Sequence, residues 1–299
     1  MAVEKVAKKK KKRRSKKSTS TSTSTSTSTA STKSTGLSLP EEPKAPEERL
    51  DKYTVLIYGS PGIGKTTFLS SFPDAILFSC ERVSKAISCF DFNAENGGVK
   101  NWDIFKEGVK LLQEQKDMFA TVCIDTIDAA YAMCLDWVCK KRGYEHPHEA
   151  NDYGQTWAAV KDEFIKEIDK IYNTGRGVAF SSHAKETLIV SHSGKEYTKI
   201  QPTMQNQAYG IMKAKSDVVL YAEFIKDVSG KSRRILISEG DELVDAKNPN
   251  DMPRFLPLEK SDGYEVIAKA FRKEIEGIPI SEIKPAKNTS AQAETMFAK

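Results

Sequence analysis

Long apolar runs are absent from the 299 residues of this chain. None approaches the roughly 18 residues that a membrane-spanning helix requires, so no membrane partner is expected. The basic N-terminus leads into Ser and Thr and not into the apolar segment of a secretory signal, and the expected location is cytoplasmic. Cysteine is scarce: Cys80, Cys89, Cys123, Cys134 and Cys139 are an odd number with no C-x-x-C pair. That argues against a disulfide framework or a zinc site, and for reduced thiols packed as small hydrophobic groups. There are four histidines. The His146-Pro147-His148 run lacks the spaced partners of a metal site and reads as a solvated loop.

Charge is abundant and unevenly spread. The net charge is +5, but residues 1–17 carry ten Lys or Arg against Glu4, which is +9, so the rest of the chain is acidic by four charges. The basic character therefore belongs to a tail. Residues 18–29 alternate Ser and Thr, and nothing up to residue 48 has an apolar period that could repay the entropy of ordering. A disordered basic and Ser/Thr-rich tail is expected over 1–48, a single domain over 49–284, and a polar tail over 285–299. The basic tail fits a solubilising or processed extension; it equally fits a polycation with non-specific phosphate affinity, or a nuclear-localisation patch.

Within the domain, strand and helix signals alternate. "YTVLIYG", "AILFS", "FATVCID" and "GVAFSSH" are short β-rich runs. Between them lie a helix start at "KTTFLSSF", a helix with Trp102, Phe105, Val109 and Leu112 at helical spacing, one ended by Gly143, and a long amphipathic one ended by Gly175. This alternation predicts an α/β fold with a mostly parallel sheet covered by helices on both faces. Beyond His183 a polar stretch, residues 184–216, reads as a loop. "DVVLYAEF" and "SRRILIS" then predict a C-terminal β hairpin turning at Ser229-Gly230, followed by a last helix, "YEVIAKAFRKEI".

"GSPGIGKT" matches G-x-x-x-x-G-K-[ST] and sits between a strand and a helix, as a phosphate-binding loop must. Gly59, Ser60, Pro61, Gly62, Ile63, Gly64, Lys65, Thr66 and Thr67 are the expected nucleotide contacts. Backbone N–H groups cradle the phosphates, Lys65 reaches the β and γ phosphates, and the Thr66 hydroxyl ligates Mg²⁺. Asp125, ending the third strand, completes the metal shell, although it is also placed to cap the next helix. Hydrolysis further needs a base. Many P-loop machines carry Glu immediately after the strand-end Asp, and here that position is Thr126. Glu81 ends the strand after the P-loop helix, where a parallel sheet brings its carboxyl edge beside Asp125 and the γ-phosphate; it is the expected base. Asp128, one turn into the next helix, is expected to point away.

The succession of P-loop, strand-end Glu, strand-end Asp and strand-end polar sensor resembles the RecA and RadA recombinase core. More closely, "YGSPGIGKTTF", "TVCIDTID", "NDYGQTW" and "FSSHAKE" resemble the phage-encoded ATP-binding proteins of the AAA-type family that includes RecA-like single-strand annealing proteins. The resemblance spans about Tyr53 to Phe271 and implies a RecA-like P-loop NTPase that hydrolyses ATP with Mg²⁺. A phage-encoded member would act in the cytoplasm of its host. By this resemblance His183 is a third catalytic group beside Glu81 and Lys65: a γ-phosphate sensor, where the recombinases often carry Gln, that signals to a DNA-binding loop. The loop following it carries Lys185, Lys195, Lys199, Lys213 and Lys215 with Tyr197 and Tyr209 interleaved, cations and aromatics suited to single-stranded nucleic acid. Lys247 and Arg254 are candidates for a finger reaching a neighbouring subunit's nucleotide. The implied partners are single-stranded DNA, further copies of the chain in a ring or filament, and a single-strand DNA-binding protein.

Two other readings are separable by sequence. A helicase loader or remodeller of the AAA+ class would carry Asp-Glu at the third strand and a helical lid after the fourth. A P-loop kinase would need an Arg-rich lid and an acceptor pocket.

Overall fold

The computed structural model describes residues 41–192, 194–258 and 262–284. Most of the expected N-terminal tail and all of the C-terminal one lie outside the described residues. Contacts divide the chain into Met1–Ala45 and Pro46–Lys299. Of the first unit, the described residues 41–45 are exposed and belong to no helix or strand. The remainder of the description concerns the second unit.

In chain order its elements are β1 (Thr54–Gly59), α1 (Lys65–Ser70), β2 (Ala75–Ser79), β3 (Phe90–Asp91), α2 (Trp102–Glu114), β4 (Thr121–Asp125), α3 (Ile127–Arg142), α4 (Gln155–Tyr172), β5 (Gly177–Val190), β6 (Glu196–Pro202), α5 (Asn206–Lys215), β7 (Val218–Asp227), β8 (Ser232–Ile237), β9 (Phe255–Pro257), α6 (Gly263–Phe271) and β10 (Ile283–Lys284). The sheet runs β3-β2-β4-β5-β1-β7-β8-β9, with β10 against β7 and β6 against β5. Its first six strands are mutually parallel, and β8, β9 and β10 add antiparallel pairs at the β7 side.

Every residue of β1, β2 and β4 is buried. Strands without a polar face must be covered on both sides. The period of two divides the cover: Val55 and Ile57 face a core with Phe68 and Leu69 of α1 and Ile267 and Phe271 of α6. Leu56 and Tyr58 face the larger core, with Trp102, Tyr131, Phe164 and Ala208 from α2, α3, α4 and α5. Trp102 is fully buried and stacks on Phe105 at 4.6 Å between centroids. Local signals set the helix ends. Asn101 accepts a hydrogen bond from the Ile104 N–H, Thr126 accepts one from Ala129, and Gly143 ends α3 at φ 79°.

The loop expected over 184–216 is instead a hairpin and a helix. β5 continues past His183 to Val190, turns, and returns as β6 in an antiparallel ladder from Ala184↔Pro202 to Val190↔Glu196; α5 follows. "TLIV" and "EYTKI" carry the β-branched alternation of strands, and Gly194, whose N–H donates to the Ser191 carbonyl at 2.9 Å, helps turn the chain between them. Interspersed charges made this stretch read as loop, because a hairpin standing clear of the core needs few apolar residues. The expected β7–β8 hairpin is present. All five cysteines are free thiols, four of them buried. His146 and His148 stack on each other at 4.6 Å, each with its ring edge-on to Trp157.

Candidate active site

Parallel pairing sends the carboxyl ends of β1, β2, β4 and β5 to one edge of the sheet, so the groups following these strands meet there. A cleft of about 500 Å³ opens at that edge, lined by Lys65, Thr66, Glu81, Asp125, Thr126 and His183 among others. The P-loop leaves β1 at Gly59, where a Cβ would stand 2.5 Å from the Ala222 carbonyl oxygen of β7. It enters α1 through Gly64 at φ 112°, a conformation that side chains resist. Pro61, Gly62, Gly64 and Thr67 line the cleft as well. Ser60 is exposed outside it, and Ile63 turns its side chain into the core.

Lys65 is buried. Its Nζ donates to the carbonyls of Gly59 (2.9 Å) and Ser60 (3.2 Å) and lies 3.4 Å from His183 Nδ1. Burial pulls its pKa down, against the pull of Asp125, Glu81 and Asp128. Thr66 Oγ1 donates to Asp125 Oδ2 at 2.6 Å, and Ser181 Oγ, from the neighbouring β5, donates to Asp125 Oδ1. Among the described residues no group of three or more His, Cys, Asp or Glu is placed to hold a metal. A single carboxylate beside a hydroxyl is nevertheless the donor set of a hard cation that takes its other ligands from phosphate and water, and Mg²⁺ fits it.

Glu81 lies two residues past the end of β2, whose Ser79 pairs with Asp125. Its Oε1 accepts from Thr126 Oγ1 at 2.8 Å and lies 3.1 Å from His183 Nε2. The residue standing where other P-loop proteins place Glu thus holds the Glu that comes from elsewhere. His183 links the set, with Nδ1 toward the Lys65 ammonium and Nε2 toward Glu81. An ammonium only donates, so the tautomer that satisfies both contacts is the one in which Nδ1 accepts from Lys65 and Nε2–H donates to the carboxylate. Glu81 keeps 44% of its side chain exposed and His183 28%, so solvent reaches both.

Asp128 points away from the cleft, as expected. Its carboxylate accepts from Ser182 Oγ (3.0 Å), the His183 N–H (3.1 Å) and Thr203 Oγ1 (3.1 Å). Burial pushes its pKa up, opposed by those donors.

The structure disperses the predicted cationic loop. Lys199 (3.2 Å) and Lys213 (2.9 Å) pair with Asp245, Lys215 pairs with Asp169, and Lys185 donates to the Met204 carbonyl at 3.3 Å. The Tyr209 hydroxyl is buried. Lys195 is exposed at the turn, and Tyr197 sits opposite Ile189. Nor do Lys247 and Arg254 project as fingers: Lys247 Nζ donates to the Ser216 carbonyl at 2.7 Å, and Arg254 pairs with Asp241. The acids that hold Lys199, Lys213 and Lys215 lie more than thirty positions away along the chain, so no local spacing announces them.

Besides the bonds of Thr126 and Ser181, sequence reasoning missed four contacts. Arg82, Ser84 and Ile87 line the cleft from the segment after Glu81. Arg234 of β8 donates from Nη1 to the Ile63 carbonyl at 3.1 Å, bracing the P-loop from outside. Its only sequence signal is its place in the hairpin after β7.

A P-loop after an inner strand of a mostly parallel sheet, with a Thr–Asp pair and a Glu–His pair across one cleft, defines an α/β P-loop nucleotide-binding protein. The AAA domain family model matches residues 51–250, and the chain belongs to that family. It is similar to the SPbeta prophage-derived uncharacterized protein YorG of Bacillus subtilis (strain 168), 27% identical over 177 residues, which are 58% of this chain. The match spans about half, 51%, of that relative's length. Among solved structures, a KaiC-like protein from the hyperthermophilic archaeon Pyrococcus horikoshii OT3 aligns with TM-score 0.40 and 12% identity, over 71% of this chain and 88% of that one. Among the described residues no helix is long and apolar enough to cross a membrane.

Proposed function

We propose that the protein is a Mg²⁺-dependent, RecA-like ATPase of phage-type DNA recombination or replication, whose nucleotide state controls binding or annealing of single-stranded DNA. The observation that carries this reading is one continuous strand: β5 bears His183 between Lys65 and Glu81, then runs directly into the hairpin. Whatever fixes His183 acts on the hairpin's first leg.

In hydrolysis, a water held by the Glu81 carboxylate attacks the γ-phosphorus as the bond to the bridging oxygen of ADP breaks, and Glu81 takes the water's proton. Lys65 meets the γ-phosphate charge. Thr66 and Asp125 would hold Mg²⁺, which when bound neutralises charge on the β and γ oxygens. Thr126 aims Glu81, and Ser181 aims Asp125. The helicase-loader reading is less well supported, because β5 is followed by a hairpin and an extended sheet where that class needs a helical lid.

Single-stranded DNA would be met by the hairpin tip with Lys195 and Tyr197, helped by the basic N-terminal sequence. Further copies of the chain and a single-strand DNA-binding protein remain the proposed protein partners. The test is ATP turnover with and without single-stranded DNA, together with oligonucleotide affinity with and without a non-hydrolysable ATP analogue. Stimulation, and tighter binding with the analogue, are expected. Unchanged turnover and identical affinity in both states would remove the DNA half of the reading and leave an ATPase.

A further inference from the structure

The β5–β6 hairpin meets the domain at its base, where its two legs come together. There Thr203 N–H donates to the His183 carbonyl at 2.9 Å, next to the first ladder pair, Ala184↔Pro202. One side chain from outside the hairpin binds both legs. Asp128, in the first turn of α3, accepts from Ser182 and His183 on the outgoing leg and from Thr203 on the returning one. A turn further along α3, Tyr131 donates to Gln207 Oε1 at 2.8 Å, so the same helix face also holds the start of α5. Asp128 does not line the cleft, and three donors occupy its carboxylate. It is therefore badly placed to take a proton from water.

The geometry points to Asp128 as a positioning residue: by gathering Ser182, His183 and Thr203 on one carboxylate, it fixes the His183 ring between Lys65 and Glu81 and locks the hairpin base to α3. Sensor and hairpin then move as one body, with α3 as the fixed support. This rests on the reading of His183 as the nucleotide sensor. The physical ground is that an apolar residue at 128 would leave the His183 N–H without its acceptor and leave the Ser182 and Thr203 hydroxyls only the His183 carbonyl, so the two legs would lose the one group that ties them to α3 and the hairpin base would loosen.

The experiment is hydrogen–deuterium exchange by mass spectrometry on the full chain, paired with ATP kinetics. Asp128→Ala is expected to speed exchange across 184–202 about tenfold while the P-loop keeps its protection. Asp128→Asn keeps an oxygen for the His183 N–H, and the hydroxyls can rotate to suit its amide, so it should restore most of that protection. In turnover, Asp128→Ala should lower kcat about tenfold at unchanged KM, Asp128→Asn should recover to within about threefold, and the loss should vanish in a His183→Ala background. Equal exchange in Asp128→Ala and wild type overturns the proposal. So does an Asn variant as slow as the Ala variant, since that marks proton transfer, or an equal loss of kcat with and without His183. Should Asp128→Ala not fold, Thr203→Val removes one donor at nearly constant shape and must still speed exchange at the hairpin base. If the wild type hydrolyses no ATP, the sensor reading fails while exchange still decides whether Asp128 locks the hairpin.

Discussion

Glu81 is where binding and turnover should separate. Glu81→Gln keeps the shape that Thr126 holds and loses the basicity. Hydrolysis should fall by about 10² or more while ATP affinity, measured by titration, stays close to wild type. Lys65→Ala should instead abolish tight ATP binding, because the phosphates lose the cation fixed in their cradle; unchanged affinity would contradict the assignment. That Lys65, Thr66, Asp125 and Glu81 share one cleft was legible in the sequence, because the place of each follows from one local rule, a loop motif or the end of an apolar run. Thr126 and Ser181 were not. Their bonds to Glu81 and Asp125 depend on β4 lying between β2 and β5, which no local spacing states. Arg234 reaches Ile63 across 171 positions of chain.

Elements buried on both faces were readable as strands, since β1, β2 and β4 are unbroken apolar runs between turn signals. The β5–β6 hairpin was not, because its outer face exposes Leu188 and Val190, each at 62%, among charges that looked like loop. On β7 an acidic group is out of keeping with its surroundings. Burial lifts the Glu223 carboxyl from 4.5 to about 7, and its Oε2 has no hydrogen-bond partner. A folded-state pKa raised above the unfolded one contributes stability below about pH 4.5 that is lost as pH rises through about 7. Glu223→Gln removes the ionisation penalty, so it should stabilise the fold by about 1–3 kcal/mol at pH 8 and by little at pH 5. Thermal melts at the two pH values check this; equal shifts at both would assign the gain to packing.

For the whole molecule, the compact unit begins at Pro46, and the Glu47 carbonyl already accepts from the Tyr53 hydroxyl at 2.8 Å. Removing residues 2–45 should leave melting temperature and ATP turnover unchanged. If the chain binds nucleic acid, the truncation should also lower the part of that affinity that falls steeply with salt, because the +9 charge of residues 1–17 goes with it. A large drop in melting temperature on truncation would contradict this boundary. If nucleotide and DNA are coupled, the coupling is reciprocal. Whatever factor an ATP analogue adds to oligonucleotide affinity, about five- to 150-fold for typical couplings, the oligonucleotide must return to ATP, and His183→Ala should remove both together.

If Glu81 is the base of the proposed hydrolysis, its bond to His183 Nε2 would make that reaction self-reporting. A base must begin as the carboxylate, so the imidazole N–H would lean on a full negative charge before the reaction. Once Glu81 has taken the proton of the attacking water it is neutral, and that charge-assisted bond drops to about half its strength. In the same step the γ-phosphoryl group is cut from ADP. Under the proposed mechanism the Glu81 attachment of the ring would therefore slacken as the bond breaks, without waiting for product to leave, and the strand that carries His183 into the hairpin would be informed by the chemistry itself.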